Sequence, residues 1–392
     1  MVNVADKLEE AGLDIPLIVG GATTSKIHTA LHIAPHLSAP VVHASDASRN
    51  PVIASSLLNP ALRSEFVKEL DDEYQRLRSG YRKAQLLPYA EAIKHKLNID
   101  WNAYRAPKPK HHGVSILDNI SISEVKPFIN WRMFYNAWRV SPHANDVSAQ
   151  SLFDDAQAML SKLETAAVPL IRAAVGVFEA ASLGEDIIID GVTMPMLRRQ
   201  LPNDEGICRS LADFVMPAMP DGHCRDYAGT FVVSVGAADN SIYSQVGIDD
   251  DTYSTVLLRT LLDRLAEASS EWLHCYVRTE YWGYASDEAA DMDEIFKGNF
   301  RGIRPAVGYP MMPEQTIIHS LGKLLPFESV GVSLTENGAM SPASSVCGLY
   351  IAHPDARYFM LEQIGEDQLA DYARRRGVDI ERMRSVLLKN LL

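Results

Sequence analysis

Long apolar runs are missing from this 392-residue chain. No stretch approaches the ~20 apolar residues that span a bilayer, and no signal-peptide pattern opens the sequence, so no membrane partner is expected. Cysteine is scarce. The four present (Cys208, Cys224, Cys275 and Cys347) are scattered without a Cys-x-x-Cys pair, which argues against a disulfide scaffold or a zinc site and for reduced thiols in the cytoplasm. Basic blocks are missing too. With 37 Lys and Arg against 50 Asp and Glu, the net charge is −13, and nothing offsets it to neutralise the phosphates of a nucleic acid. Gly-x-Ser-x-Gly, Walker and Gly-x-Gly-x-x-Gly segments are absent, leaving hydrolase, phosphate-loop and dinucleotide readings without support. What remains is an ordinary globular composition, 47% hydrophobic and 22% charged, long enough for two or more cores.

The pattern changes character along the chain. Residues 1–60 alternate helix and strand: a helix from Val4 to Ala11, an apolar strand over Ile15–Gly21, capping residues Thr23, Thr24 and Ser25, and a second strand over Pro40–Ala44. A helix then runs to Leu58. Two βα units are too few for a closed doubly wound domain, so this part reads as a partial α/β, Rossmann-like remnant of something larger, cut at its front. Its apolar strand edges are expected to leave it marginal alone or paired with a partner. Residues 61–112, with a charged helix over Arg63–Arg78 and a Pro- and Lys-bearing stretch, read as an interdomain linker. From 113 to 392 strands (Ala173–Phe178, Ile187–Ile189, Thr230–Val235) mix with helices (Leu152–Leu163, Ser254–Arg278, Asp367–Leu388), which predicts an α+β domain with a mixed or antiparallel sheet.

Most candidate constellations dissolve on inspection. His28, His32 and His36 fall four apart, but Pro35 breaks the helix that would align them. Asp263 and Glu267 read as members of an intrahelical ion-pair set, with Glu267 alternatively facing a ligand ammonium. The segment Arg301-Gly-Ile-Arg-Pro-Ala-Val-Gly-Tyr-Pro310 is different. Pro305 and Pro310 restrict φ on either side of Gly308, giving a stiff loop that holds Arg304. It is either a carboxylate clamp built on a planar guanidinium or a proline-rich surface turn.

Read together and in order, the motifs resemble one family. Gly20-Gly-Ala-Thr-Thr-Ser-Lys-Ile-His-Thr29 and Asp46-Ala-Ser-Arg49 look like the end of the cobalamin-binding domain of cobalamin-dependent methionine synthase. Ile129-Asn-Trp131, Leu211–Val215, Asp263–Ala268, Tyr281-Trp-Gly-Tyr284, Gly302–Pro310, His353-Pro-Asp355 and Asp371–Arg375 look like that enzyme's activation domain. The resemblance implies a module that binds S-adenosylmethionine and supports reductive remethylation of cob(II)alamin to methylcobalamin. The electron would come from flavodoxin or a flavodoxin-like reductase, and the cobalamin from a separate domain or chain. Uphill reduction would be drained by methylation, so no catalytic acid, base or nucleophile is expected, only positioning.

By the same resemblance, Arg304 holds the methionine carboxylate, Glu267 suits the ammonium, and Tyr358 and Phe359 lie beside the ligand, where an aromatic face attracts a sulfonium. Gly308 and Tyr309 complete the loop. Ala47 is the one remaining cobalamin contact, and the segments that ligate cobalt and hold the nucleotide tail are absent, so this chain is not expected to make methionine by itself. Asn130 stands where the family places Asp, Gly298 where it places an acidic residue, and Gln315 where it places His. The lost charge at Asn130 predicts weakened binding of a cationic ligand. A docking module without turnover, for a cobalamin protein or flavodoxin, is the alternative. An independent methyltransferase is weaker, because the usual Gly-rich loop is missing.

Overall fold

Alternation of side chains along extended backbone decides which residues face which layer in the larger part of this protein. The computed structural model describes residues 1–20, 25–44, 50–80, 86–140, 147–165, 170–220, 224–236, 247, 251–288 and 291–391. They fall into two units, Met1–Gln85 and Leu86–Leu392, each described by itself.

In the first unit helix α1 (Val2–Glu10) leads to strand β1 (Leu17–Gly20), and β2 (Val41–Ala44) runs parallel to it with Leu17 opposite Val41. Helices α2 (Asn50–Leu58) and α3 (Pro60–Gly80) follow. Among the described residues β1 and β2 pair only with each other. Ser25 caps the turn after β1 by accepting the His28 amide at 3.1 Å, whereas Thr23, Thr24 and Asp46–Arg49 lie outside the described residues. His28, His32 and His36 do not share a regular helix. The winding changes from α to a wider turn over Thr29–Ile33 and a tighter one over Ala34–His36. Among the described residues no group of His, Cys, Asp and Glu could hold a metal ion.

Residues 61–112 are not a free linker. The charged helix α3 carries an apolar stripe of Phe66, Leu70, Tyr74 and Leu77 at helical spacing, and this stripe packs into the core of the first unit. Its Tyr74 hydroxyl donates to the Val41 carbonyl at 2.9 Å. Residues from Leu86 onward belong to the second unit. Helix α4 (Tyr89–Lys94) is tied to Asp367 through the Tyr89 amide at 2.6 Å, and the Pro107 carbonyl accepts the Trp282 indole N–H at 2.8 Å. Prolines and lysines were the linker signal; backbone groups anchored by distant side chains override it.

The second unit is built on strands β3 (Gly113–Ile120), β4 (Ile171–Leu183), β5 (Asp186–Ile189), β6 (Val192–Pro195) and β7 (Asp226–Val235), with helices α5 (Trp131–Ala137) and α6 (Val147–Thr165) between β3 and β4. After β7 come α7 (Thr252–Tyr276), α8 (Met292–Lys297), a short hairpin of β8 (Ser333–Leu334) and β9 (Met340–Ser341), β10 (Ser345–Tyr350), α9 (Glu366–Arg376) and α10 (Ile380–Val386). The main sheet is antiparallel in the order β10-β7-β4-β5-β6, with β3 also on β4. Val175, Phe231 and Val233 face α7 and its Leu258, Leu261 and Leu265. The intervening Ala174 and Val232 face a second layer with Met194, Ile318 and Leu321. Asp251 caps α7 by accepting the Ser254 amide at 2.9 Å, and a wider turn over Val277–Tyr281 follows the helix. Among the described residues no helix is long and apolar enough to cross a membrane.

Asp226, which opens β7, is buried, and its carboxylate accepts the amides of Met216 at 2.9 Å and Tyr227 at 2.8 Å. Burial pushes its pKa up to about 6 against the pull of those amides. A raised folded-state pKa stabilises the fold in acid, and that contribution is lost as pH rises through the folded value. Denaturant melts of wild type and Asp226→Asn should therefore diverge by roughly 3 kcal/mol between about pH 4 and 6, wild type losing ground as pH rises. A pH-independent difference would contradict this account.

Candidate functional site

The loop carrying Arg304 is laid along the outer edge of β10. The Ile303 amide donates to the Ile351 carbonyl at 2.9 Å, and the Ile351 amide donates back at 3.1 Å. The Leu349 amide reaches the Pro305 carbonyl and the Val307 amide the Cys347 carbonyl, both at 2.9 Å. Pro305 has no N–H to contribute, which an edge position tolerates. The approach is close enough to require glycine: a Cβ on Gly348 would stand 2.1 Å from the Pro305 carbonyl oxygen. At Gly308 the backbone takes φ +85°, a left-handed value open to glycine, and the chain turns so that the Gly308 amide meets the Met312 carbonyl at 2.8 Å.

This loop forms one wall of a cleft of about 670 Å³. The facing wall is α7, which presents Glu267 and, one turn on, Glu271. The end of α8 around Gly298 and the segment Tyr358–Met360 close the sides. The Arg304 side chain is only 9% exposed and its Nη2 is ion-paired with Glu271. Burial alone would lower the Arg304 pKa, but Glu271 and Tyr358 outweigh it and hold the guanidinium charged. The Arg304 amide donates to the Tyr358 hydroxyl at 2.9 Å, and its guanidinium carbon sits 5.7 Å from the Phe231 ring centre. The Tyr309 hydroxyl donates to Glu267, and burial with that carboxylate raises the phenol pKa. Arg304 Nε and Glu271 Oε2 have no hydrogen-bond partner among the described residues.

Beneath the cleft α7 continues the same polar stripe with His274 and Arg278. His274 is fully buried, stacks on Tyr350 with ring centres 5.2 Å apart, and approaches the Tyr284 hydroxyl at 3.2 Å. Burial, then the positive charges of Arg278 and Arg304, hold its pKa well below the ordinary value and the ring neutral. Arg278 donates to Glu288 at 2.8 Å and lies 4.4 Å from the centre of the Phe300 ring. Glu271, His274 and Arg278 escaped the sequence reading. Their signal was present as polar residues at 267, 271, 274 and 278, helical spacing along one face of an amphipathic helix.

Of the residues singled out from sequence, Arg304, Glu267, Tyr309, Tyr358 and Phe359 line this one cleft. Gly308 shapes the turn. Phe359 is buried, whereas Tyr309 and Tyr358 are about half exposed at the mouth. Glu267 takes part in no ion pair among the described residues, and Asp263 accepts the Ser344 hydroxyl at 2.6 Å in place of the expected intrahelical pairing. Asn130 is not among the residues lining the cleft. Its side chain caps α5, accepting the Met133 amide at 3.3 Å. Gly298 lines the cleft as the left-handed cap of α8, while Gln315 donates to the Gly338 carbonyl at 2.9 Å. Arg301 and His353 are structural: Arg301 donates to the Tyr284 carbonyl at 2.9 Å, and His353 packs against Tyr104 with ring centres 4.4 Å apart. Ala47 lies outside the described residues.

Comparison with known proteins bears on this geometry. The family model described as vitamin B12 dependent methionine synthase, activation domain, matches residues 121–377. A solved structure described as the MetH reactivation domain bound to AdoHcy is 35% identical, with a TM-score of 0.70 over 78% of this chain and 98% of that one.

The close approach at Gly348 has a direct consequence. Gly348→Ala should cost ~1–3 kcal/mol through overpacking. It should also accelerate hydrogen exchange at the Ile303 and Val307 amides more than at the β4–β7 ladder. Uniform acceleration throughout the sheet would show that the loop is not held by this contact.

Proposed function

Because the chain belongs to the vitamin B12-dependent methionine synthase activation-domain family, we propose that its cleft binds S-adenosylmethionine and presents the methyl group to cobalamin held by another domain or chain. The observation that carries this is the nine-tenths buried Arg304 guanidinium, held charged beside Glu271 in the wall of a cleft of about 670 Å³. Such a group suits a carboxylate that arrives with the ligand. The relative with bound AdoHcy supports the same class of ligand.

In this reading Arg304 takes the methionine carboxylate. Tyr309 and Tyr358 offer ring faces to the sulfonium, an attraction of order ~1 kcal/mol or more when water is excluded. Phe359 backs the pocket from inside, Gly308 sets the turn that brings Tyr309 to the mouth, and Glu267 adds negative charge favouring a cation while anchoring Tyr309. Cobalamin would be held by another domain or chain and would supply the methyl acceptor, with flavodoxin or a flavodoxin-like reductase as the electron source. The chain orients the donor and needs no acid or base of its own. The setting is cytoplasmic, in keeping with four unpaired cysteines.

Mixing the chain with a cob(II)alamin-loaded partner, S-adenosylmethionine and a reduced flavodoxin system should produce the visible spectrum of methylcobalamin. Donor binding without that spectrum would favour a docking module instead, and absence of donor binding would defeat both readings. Asn130 begins a helix, α5, that packs on α7. Restoring a carboxylate with Asn130→Asp should tighten S-adenosylmethionine binding by roughly three- to tenfold in calorimetry, the scale of one weakly screened charge interaction. Unchanged affinity would show that Asn130 serves only as the cap of α5.

A further inference from the structure

The two walls of the cleft are joined by carboxylates at three heights. Near the mouth Glu267 of α7 receives the Tyr309 hydroxyl, and further in Glu271 pairs with Arg304. All four of those side chains line the cavity, so a bound ligand competes for them. The third carboxylate, Glu288, does not line it. Its Oε2 accepts Arg278 Nε at 2.8 Å, and its Oε1 accepts the Arg301 amide at 2.8 Å. One side chain thus holds both the wider turn that follows α7 and the first residue of the segment that carries Arg304.

The bridge is set firmly at both ends. Glu288 is tied to the turn through the backbone as well: the Ala285 amide donates to the Arg278 carbonyl at 2.9 Å, and the Glu288 amide to the Ala285 carbonyl at 3.1 Å. Phe300, which precedes Arg301 and lines the cleft, is held by Arg278 and, edge-on, by His274 with ring centres 5.1 Å apart. A buried guanidinium such as that of Arg278 calls for a counter-charge. The second bond, to a backbone amide three residues before Arg304, goes beyond that need.

We propose that Glu288 is a positioning residue: by tying Arg278 to the Arg301 amide it sets the spacing between α7 and the Arg304 loop, and so holds the empty cleft at the width its ligand needs. The inference rests on the cleft being an S-adenosylmethionine site. The ladder with β10 fixes the loop along the sheet, while its distance from α7 is set by side chains. When a ligand enters, Arg304 and Tyr309 serve it as well as their own carboxylates. The Glu288 bridge, outside the cavity, stays in place whether the cleft is empty or filled. Affinity then depends on a bond that never touches the ligand, which is the meaning of preorganisation.

Glu288→Gln in the full chain tests this. Its amide oxygen still accepts one of the two donors, but its NH2 group meets the other and that bond is lost. Calorimetry with S-adenosylhomocysteine should show affinity weakened by roughly tenfold at unchanged stoichiometry, the scale of ordering one rotamer-rich side chain on binding. Hydrogen exchange at the Arg301 amide should quicken in the free protein. Glu185→Gln is the control, because it cuts a comparable carboxylate–arginine pair, with Arg198, on residues that do not line the cleft. It should lower the denaturation midpoint and leave the affinity of the folded protein unchanged. Equal affinity in wild type and Glu288→Gln overturns the proposal. So does an equal loss in Glu185→Gln, which would make the effect one of general stability. Should Glu288→Gln not fold, Glu288→Asp, with its charge kept and its reach one carbon shorter, decides between the same outcomes. If wild type binds no S-adenosylhomocysteine, the reading of the cleft fails and takes the proposal with it, a result seen without any variant.

Discussion

The cleft depends on how closely the Arg304 loop can lie against β10. Hydrogen bonds from Ile303, Leu349, Ile351 and Val307 make the loop a short extension of the sheet, and the absent side chain at Gly348 permits the approach. Once the backbone is fixed there, Arg304 has little choice of direction. Its guanidinium lies over Phe231 of β7 and against Glu271 of α7. Sheet edge, central strand and long helix thus meet at one side chain.

Charge placement follows the same logic. A buried guanidinium without a counter-charge would be strongly unfavourable, and α7 provides one at the right height because Glu267, Glu271, His274 and Arg278 share a helix face. The lower half of that stripe is closed internally by Tyr284, Glu288 and Phe300. The upper half, Glu267 and Glu271, lines the cavity and holds Tyr309 and Arg304. A single amphipathic helix therefore supplies both a foundation and one wall of the cleft.

Much of this was legible in the residues. The Pro-flanked Gly308 turn pointed to a fixed arginine, alternating apolar runs marked β4 and β7, and the resemblance gathered Arg304, Glu267, Tyr309, Tyr358 and Phe359 before the cleft was visible. Glu271 stayed hidden because a glutamate on a long helix usually means solvent, and its partner lies 33 residues away in the loop. Gly348 carried no motif, since its meaning is the distance to another strand. The expected linker failed for a related reason: Pro107 and Asp367 make their contacts with residues remote in sequence, and local composition is silent on those.

The burial of Arg304 also bears on ionic strength. Mobile ions screen charges that they can surround, and here the Arg304 side chain is nine-tenths buried, its guanidinium between Phe231 and Glu271. Small anions in the medium would have to compete with a carboxylate already tethered beside it. The Arg304 end of the cleft is thereby insulated from the salt content of its surroundings, while the half-exposed tyrosines at its mouth remain in contact with them.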